Sequence, residues 1–270
     1  MGPVRIRVST FRSGADSMDV VVTAAIPVRR FLAAAEVSGT FPIDVQLDVN
    51  DSAGRVFGRE LRKTTVSKDS LPVGINGTWV RRLGRGLNVV RVDAEQLDVD
   101  RAASAMTDAA VEGLSGFGMS DILFGTNPIR ANGKDPQRWR DVSIAPNTGT
   151  FKWNEPLGLV RETYELATTD GNAKYRTRIT LERTLESNLK EFITRIAGNM
   201  KNVIEQDGRG TGKVAVTYDQ LRPTGTVVTD FLSISLSGAV ADPYRVEIEV
   251  LDLVSGKSVK RSSDFVLVPN

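Results

Sequence analysis

Ile43-Asp44-Val45-Gln46-Leu47-Asp48-Val49 alternates apolar and polar residues without a break. A strand turns successive side chains to opposite faces, so this stretch reads as a strand with one buried and one wet face. Val246-Glu247-Ile248-Glu249-Val250 has the same pattern, and so does Val4-Arg5-Ile6-Arg7-Val8. Residues 18–27 are more continuously apolar and predict a central strand. Residues 87–94, 159–166, 174–181, 213–218, 231–236 and 264–268 complete the set. Many short strands separated by Gly, Asp and Asn turns predict a mainly β protein of antiparallel sandwiches, not a parallel α/β sheet.

Two hairpins share one theme. Val45 to Val49 runs into Asn50-Asp51-Ser52-Ala53-Gly54 and returns through Arg55-Val56-Phe57; Val246 to Val250 runs into Leu251-Asp252-Leu253-Val254-Ser255-Gly256 and returns through Lys257-Ser258-Val259. Gly accepts positive φ in such turns while Asp caps the bend. The likeness suggests two related sandwich modules. Gly113, Gly116, Gly118 and Gly125 bracket the short apolar run Ile122-Leu123-Phe124, and Asn127-Pro128 and Asn132-Gly133 read as turns, which puts the boundary in this stretch. The expected domains are 1–125 and 126–270. One or two short helices are expected. Residues 101–111 are Ala-rich, with Asp98 or Asp100 placed to cap their start. Leu185, Leu189, Phe192, Ile196, Met200 and Val203 form a stripe at helical spacing, interrupted by Gly198, so that helix is expected up to about Ala197.

The 270 residues include no histidine and no cysteine. Histidine is the commonest general base and metal ligand, and cysteine supplies thiolates and most structural zinc sites. Ser-His-Asp and Cys-His catalysis within this chain are therefore excluded, as is a disulfide-stapled fold. The pI near 8.9 accompanies a net charge of only +2, because few groups titrate between pH 5 and pH 9. The basic clusters at Arg29-Arg30 and Arg81-Arg82-Arg85 lie among Asp44, Asp48, Asp51, Asp93, Asp98 and Asp100, so no nucleic-acid partner is expected. No run approaches the roughly 20 apolar residues of a spanning helix. Met1-Gly2-Pro3-Val4-Arg5 carries no signal peptide pattern, and that start reads like a fragment boundary.

Candidate chemistry is sparse. Asp48, Asn50 and Asp51 offer oxygen ligands of the kind calcium takes, but no bidentate Glu follows at the twelfth position and a self-capping turn explains them. Gly208-Arg209-Gly210-Thr211-Gly212-Lys213 is followed by Val214, so it is a loop and not a phosphate-binding P-loop. Glu155 and Glu162 suggest a glycosidase pair only in residue type; exposed carboxylates are the simpler reading. Trp79, Trp139 and Trp153 are expected to pack in sandwich cores, with stacking on a sugar or peptide as the alternative. Trp153-Asn154-Glu155 is the stretch best placed to form a ligand contact, since Pro156 ends the strand beside it. No catalytic, cofactor or metal residues are assigned.

Between Met119 and Tyr175 a specific pattern emerges. Met119-Ser120-Asp121-Ile122-Leu123-Phe124-Gly125 is followed by Ala145-Pro146-Asn147 and Phe151-Lys152-Trp153, then by Pro156-Leu157-Gly158-Leu159-Val160 and Glu162-Thr163-Tyr164-Glu165-Leu166. This resembles the region downstream of the signature domain in GWxTD-domain proteins of bacteria. Pro243-Tyr244-Arg245-Val246, Leu251-Asp252, Ser255-Gly256-Lys257 and Asp264-Phe265 are similar to that family's closing hairpin. The Gly-Trp-x-Thr-Asp motif itself is absent, so the chain would correspond to the β-rich C-terminal portion. The resemblance implies tandem β-sandwiches in proteins that are usually exported, and it implies no catalytic residues. The expectation is a non-enzymatic structural or protein-interaction module of an exported or cell-envelope protein, without a cofactor. The alternative is a carbohydrate- or peptide-binding module with a Trp-lined rim.

Overall fold

Phe41, Ile43, Val45, Leu47 and Val49 all point into one core, and Asp44, Gln46 and Asp48 point the other way. The computed structural model describes residues 4–14, 16–28, 31, 39–67, 74–96, 101–112, 115–130, 138–139, 142–184, 195–196, 203–206, 213–223, 227–236 and 239–269. The chain divides into two compact units, Met1–Leu114 and Ser115–Asn270.

The first unit contains β1 (Arg5–Arg12), β2 (Ser17–Ile26), β3 (Thr40–Asp51), β4 (Val56–Ser67), β5 (Ile75–Gly84), β6 (Gly86–Gln96) and β7 (Arg101–Val111). They form a three-stranded sheet, β1-β2-β5, and a four-stranded sheet, β4-β3-β6-β7. Both sheets contribute to one apolar core, through Val20, Val22, Ala24 and Trp79 from one and Ile43, Leu47, Val90 and Val92 from the other. β2 is central, as its continuous apolar run predicts.

The second unit contains β8 (Gly118–Met119), β9 (Leu123–Arg130), β10 (Arg138–Trp139), β11 (Val142–Pro146), β12 (Thr150–Lys152), β13 (Leu157–Tyr164) and β14 (Thr168–Thr169). It continues with β15 (Asn172–Arg183), β16 (Arg195–Ile196), β17 (Val203–Gln206), β18 (Lys213–Pro223), β19 (Val227–Ser235), β20 (Pro243–Asp252) and β21 (Ser258–Val268). One sheet has the order β10-β11-β9-β13-β19-β16, the other β12-β21-β20-β15-β18-β17. Every ladder among the described residues is antiparallel except that of β12 with β21, where Thr150–Lys152 run alongside Val266–Val268. The shared core includes Phe124, Phe151 and Phe265, whose rings meet edge to face at 5.9–6.1 Å. Such pairs add about 0.5–1.5 kcal/mol each beyond the area they bury.

Among the described residues there is no α-helix. Residues 101–111, expected to be helical, form β7 and pair with β6 along their whole length. Alanine is the best helix former, but helix propensity is a small bias, and pairing plus burial override it. Ala103, Ala109 and Val111 alternate into the core, and that period of two was already present under the Ala-rich composition. The Leu185–Val203 stripe lies outside the described residues except for Ile196, in strand β16, and Val203, which opens β17. Asp98, Asp100 and residues 208–212 also lie outside them. Asn127-Pro128, expected as a turn, sits within β9, where Asn127 takes φ of +50°. The ladder with β11 shifts register beside it, so the turn-forming pair is absorbed as a bulge. The expected division at 125/126 would cut β9, which stands whole in the second unit.

Candidate functional site

The inward positions of β13 read Leu157, Leu159, Arg161, Thr163, and those of β19 read Val228, Asp230, Leu232, Ile234. Apolar alternation thus gives way to polar side chains at one end of the second unit's interior. Arg161 and Asp230 are 3% and 7% exposed, and their ion pair closes at 2.9 Å. Arg161 Nη2 also donates to Thr177 Oγ1 of β15 at 2.8 Å, and Nη1 donates to Thr163 Oγ1. Asp230 accepts from the Tyr175 hydroxyl at 3.0 and 3.1 Å and from Gln220 Nε2 at 3.1 Å. Thr177 Oγ1 donates to Gln220 Oε1 at 3.2 Å, which completes the circuit. The members come from both sheets, so the network ties one sheet to the other.

Burial, reinforced by the Asp230 charge, pushes the Tyr175 phenol above its ordinary value, so it stays a donor. Asp230 accepts from Arg, Tyr and Gln donors together, while the Thr177 hydroxyl is spent on Gln220. Sequence reading missed this network. The available signal was the polar residues Arg161, Thr163 and Asp230 at positions where the alternation demanded apolar ones.

Trp153, Asn154 and Glu155 fall in the turn between β12 and β13. Glu155 N–H donates to the Lys152 carbonyl at 3.0 Å, and Lys152 N–H donates to Glu155 Oε2 at 3.0 Å. Trp153 is 42% exposed, so the expected core packing fails there. The turn uses its first and fourth residues to close, which leaves the side chain of the second turned outward. Trp79 does pack in a core, at 1% exposure, with the Arg62 guanidinium 4.8 Å from its ring. Trp139 lies on β10, its side chain outside the description. Trp79, being buried, therefore lines no rim. Glu162, expected to be a surface carboxylate, is fully buried and accepts from the Tyr164 hydroxyl at 2.8 Å. Glu155 lies at an intermediate depth in its turn, and the two are engaged separately.

The two matched hairpins use the same device. Asp51 Oδ1 accepts from the Ala53 and Arg55 N–H groups at 2.9 Å each. Asp252 Oδ1 accepts from Val254 and Ser255 N–H at 2.9 and 3.3 Å, and its Oδ2 accepts from the Ser255 hydroxyl and Ala167 N–H. Gly54 and Gly256 take φ of +77° and +72° to let each chain return. Burial pushes the Asp252 carboxyl up, but these hydrogen bonds outweigh it and hold the group below the usual carboxylate range. Asp48, another oxygen donor of the calcium-like run, lies on the outer face of β3 bound to Arg59 Nε at 2.8 Å. Among the described residues no cluster of three or more acidic side chains is arranged to hold a metal. No described helix is long and apolar enough to cross a membrane.

No known family profile matches the chain, and no curated protein sequence does. Solved structures align over nearly its whole length at low similarity. A red sea bream transglutaminase has 11% identity and a TM-score of 0.25, covering 98% of this chain and 32% of its own. Escherichia coli alpha-2-macroglobulin activated by porcine elastase has 9% identity and a TM-score of 0.28, covering 99% of this chain and 22% of its own. The serine-rich repeat protein Srr2 of Streptococcus agalactiae has 10% identity and a TM-score of 0.28, covering 97% and 92%. The chain thus spans about a third or less of the first two proteins. Likenesses at this level carry no function to the chain, whose mainly β, largely antiparallel character rests on its own ladders.

Proposed function

We propose that this chain is a non-enzymatic structural or protein-interaction module, built of two immunoglobulin-like β-sandwich domains, that serves as part of an exported or cell-envelope protein. The observation that carries the reading is the Arg161–Asp230 network, in which the most reactive-looking buried groups hold one sheet to the other. The immunoglobulin-like assignment draws support from Tyr244 at the start of β20. Its hydroxyl donates to the Val240 carbonyl four residues upstream at 2.9 Å, in the manner of a tyrosine corner. Export is supported by the resemblance to GWxTD-domain proteins. The test is a broad hydrolase and transferase substrate panel run beside cross-linking mass spectrometry with cell-envelope extract. A saturable cross-link to one envelope protein and no turnover fits the reading. Turnover lost on Asp230→Asn, with the protein still folded, would overturn it.

The exposure of Trp153 favours one further reading, a carbohydrate- or peptide-binding turn at Trp153, Asn154 and Glu155. Glycan and peptide arrays decide it: a hit lost on Trp153→Ala at unchanged stability establishes that reading, and no hit removes it.

A further inference from the structure

The edge strands of the first unit differ sharply in how they are guarded. An edge presents a row of unpaired N–H and C=O groups, and proteins blunt such edges with charged side chains. β4 carries Arg59, Glu60, Arg62 and Lys63; β5 carries Arg81 and Arg82; β1 carries Arg5, Arg7 and Arg12. Glu60 and Arg62 join at 2.7 Å, and Glu60 also pairs with Arg81, so charges close the flank between β4 and β5. β7 is the exception. From Ala102 to Val111 it holds Ala, Ser, Met, Thr and Val, with Asp108 its one charge. It pairs with β6 through all of Arg101–Val111, and among the described residues no strand pairs with its other side. β1 of the other sheet packs near it without forming a ladder. At mid-strand the Met106 side chain is 75% exposed on the outer face, the largest exposure of any big apolar side chain described.

We propose that β7 pairs antiparallel with β7 of a second copy of this chain, about a two-fold axis at Met106, joining two four-stranded sheets into one. The sequence is self-complementary about that point from Ala102 to Ala110, with Arg101 meeting Val111 at the ends. Met106 meets Met106, Ser104 meets Asp108, Ala102 meets Ala110 on the outer face, and Ala103 meets Ala109 and Ala105 meets Thr107 on the inner face. Asp108 thus faces a hydroxyl that can donate to it. An axis at Asp108 would instead set two carboxylates opposite each other, and like charges directly opposite are destabilising. Small side chains on both faces allow the strands to approach, and a two-fold contact closes on itself instead of propagating. This complementarity is what selects a second copy over an unrelated extended peptide. The pairing names a partner for the interaction-module reading but does not depend on it: failure here leaves that reading to its own cross-linking test.

The absence of cysteine makes the register directly testable. Opposed residues in an antiparallel pair have Cα atoms about 4.5–5.5 Å apart, within the range a disulfide needs. Met106→Cys, oxidised in dilute solution, is expected to give a covalent dimer of the full chain. Ala102→Cys alone is expected to give none, whereas Ala102→Cys with Ala110→Cys is expected to cross-link. Leu61→Cys, 50% exposed on β4, reports chance collision. Sedimentation velocity of the unmodified chain is expected to show a concentration-dependent dimer, and Met106→Lys is expected to return it to monomer with an unchanged circular dichroism spectrum. A chain monomeric at all concentrations overturns the proposal, even if a foreign peptide binds it. Leu61→Cys cross-linking as fast as Met106→Cys overturns it too.

Discussion

Arg161 and Asp230 stand directly opposite each other on β13 and β19, and their side chains join at 2.9 Å in the interior of the second unit. The strand register thus places the charges, and the Tyr175, Thr177 and Gln220 groups of the facing sheet complete their hydrogen bonding.

Removing one partner strands the other in a medium that cannot solvate it. Asp230→Ala is expected to cost about 3–5 kcal/mol, the range for breaking a buried pair from one side. Replacing both, Arg161→Met with Asp230→Leu, is expected to cost less than the single change, because no lone charge remains. Denaturant unfolding of the three proteins decides it; a single-variant cost below about 1 kcal/mol would show that Arg161 finds solvent when its partner leaves.

The tryptophans should separate cleanly. Trp79→Ala is expected to cost about 3–5 kcal/mol, as for other large buried aromatics. Trp153→Ala is expected to stay within about 0.5 kcal/mol, as at an exposed turn. Equal losses in matched melts would contradict the burial of one and the exposure of the other.

Gly77 tests the fit around Trp79. A Cβ at Gly77 would lie 2.2 Å from the nearest atom of the indole ring, which is held between the sheets. Gly77→Ala is therefore expected to cost about 1–3 kcal/mol through forced repacking. Combining it with Trp79→Leu should relieve much of that cost, so a purely additive double variant in chemical denaturation would rule out the clash.

Tyrosine ionisation gives a pH signature. Burial, with the Asp230 charge behind it for Tyr175, raises the phenols of Tyr175, Tyr218 and Tyr244 above their ordinary value near 10. A raised phenol favours the neutral form in the fold. The stability this contributes is full below the unfolded value of about 10 and is lost as pH climbs past it. Phenolate absorbance of the native protein should therefore lag behind that of the urea-unfolded chain, and alkaline unfolding should coincide with its late rise. Superimposable titration curves would disprove the burial of these phenols.

Where a strand has one wet face, its sequence declares it: the alternation of Ile43 to Val49 and of Val246 to Val250 returns as β3 and β20 with the expected faces inward. β7 was hidden because alanine is small enough to suit either a helix or an edge strand, and only pairing with β6 chooses. β4 was hidden because its inward positions include Glu60 and Arg62, charges tolerated there because they pair with each other and with Arg81 at the flank. The Asp51 and Asp252 turns were legible because their capping is local, within five residues. The Arg161 network was not, since Asp230 lies 69 residues away and only the folded register brings it near.

The short parallel ladder between β12 and β21 governs when the second unit can be finished during synthesis. β15 must await β20, complete only at Asp252, and Thr150–Lys152 must await Val266–Val268, so the sheet is not finished until about residue 268 has left the ribosome. The first unit has all seven of its described strands by Val111. At roughly 5–20 residues per second, the gap between the two completions is on the order of 8–30 s. Through that interval Phe124 and Phe151 lack Phe265, the ring that later joins them. Nascent chains arrested shortly before β21 should accordingly be nicked by protease beyond residue 115 and protected before it.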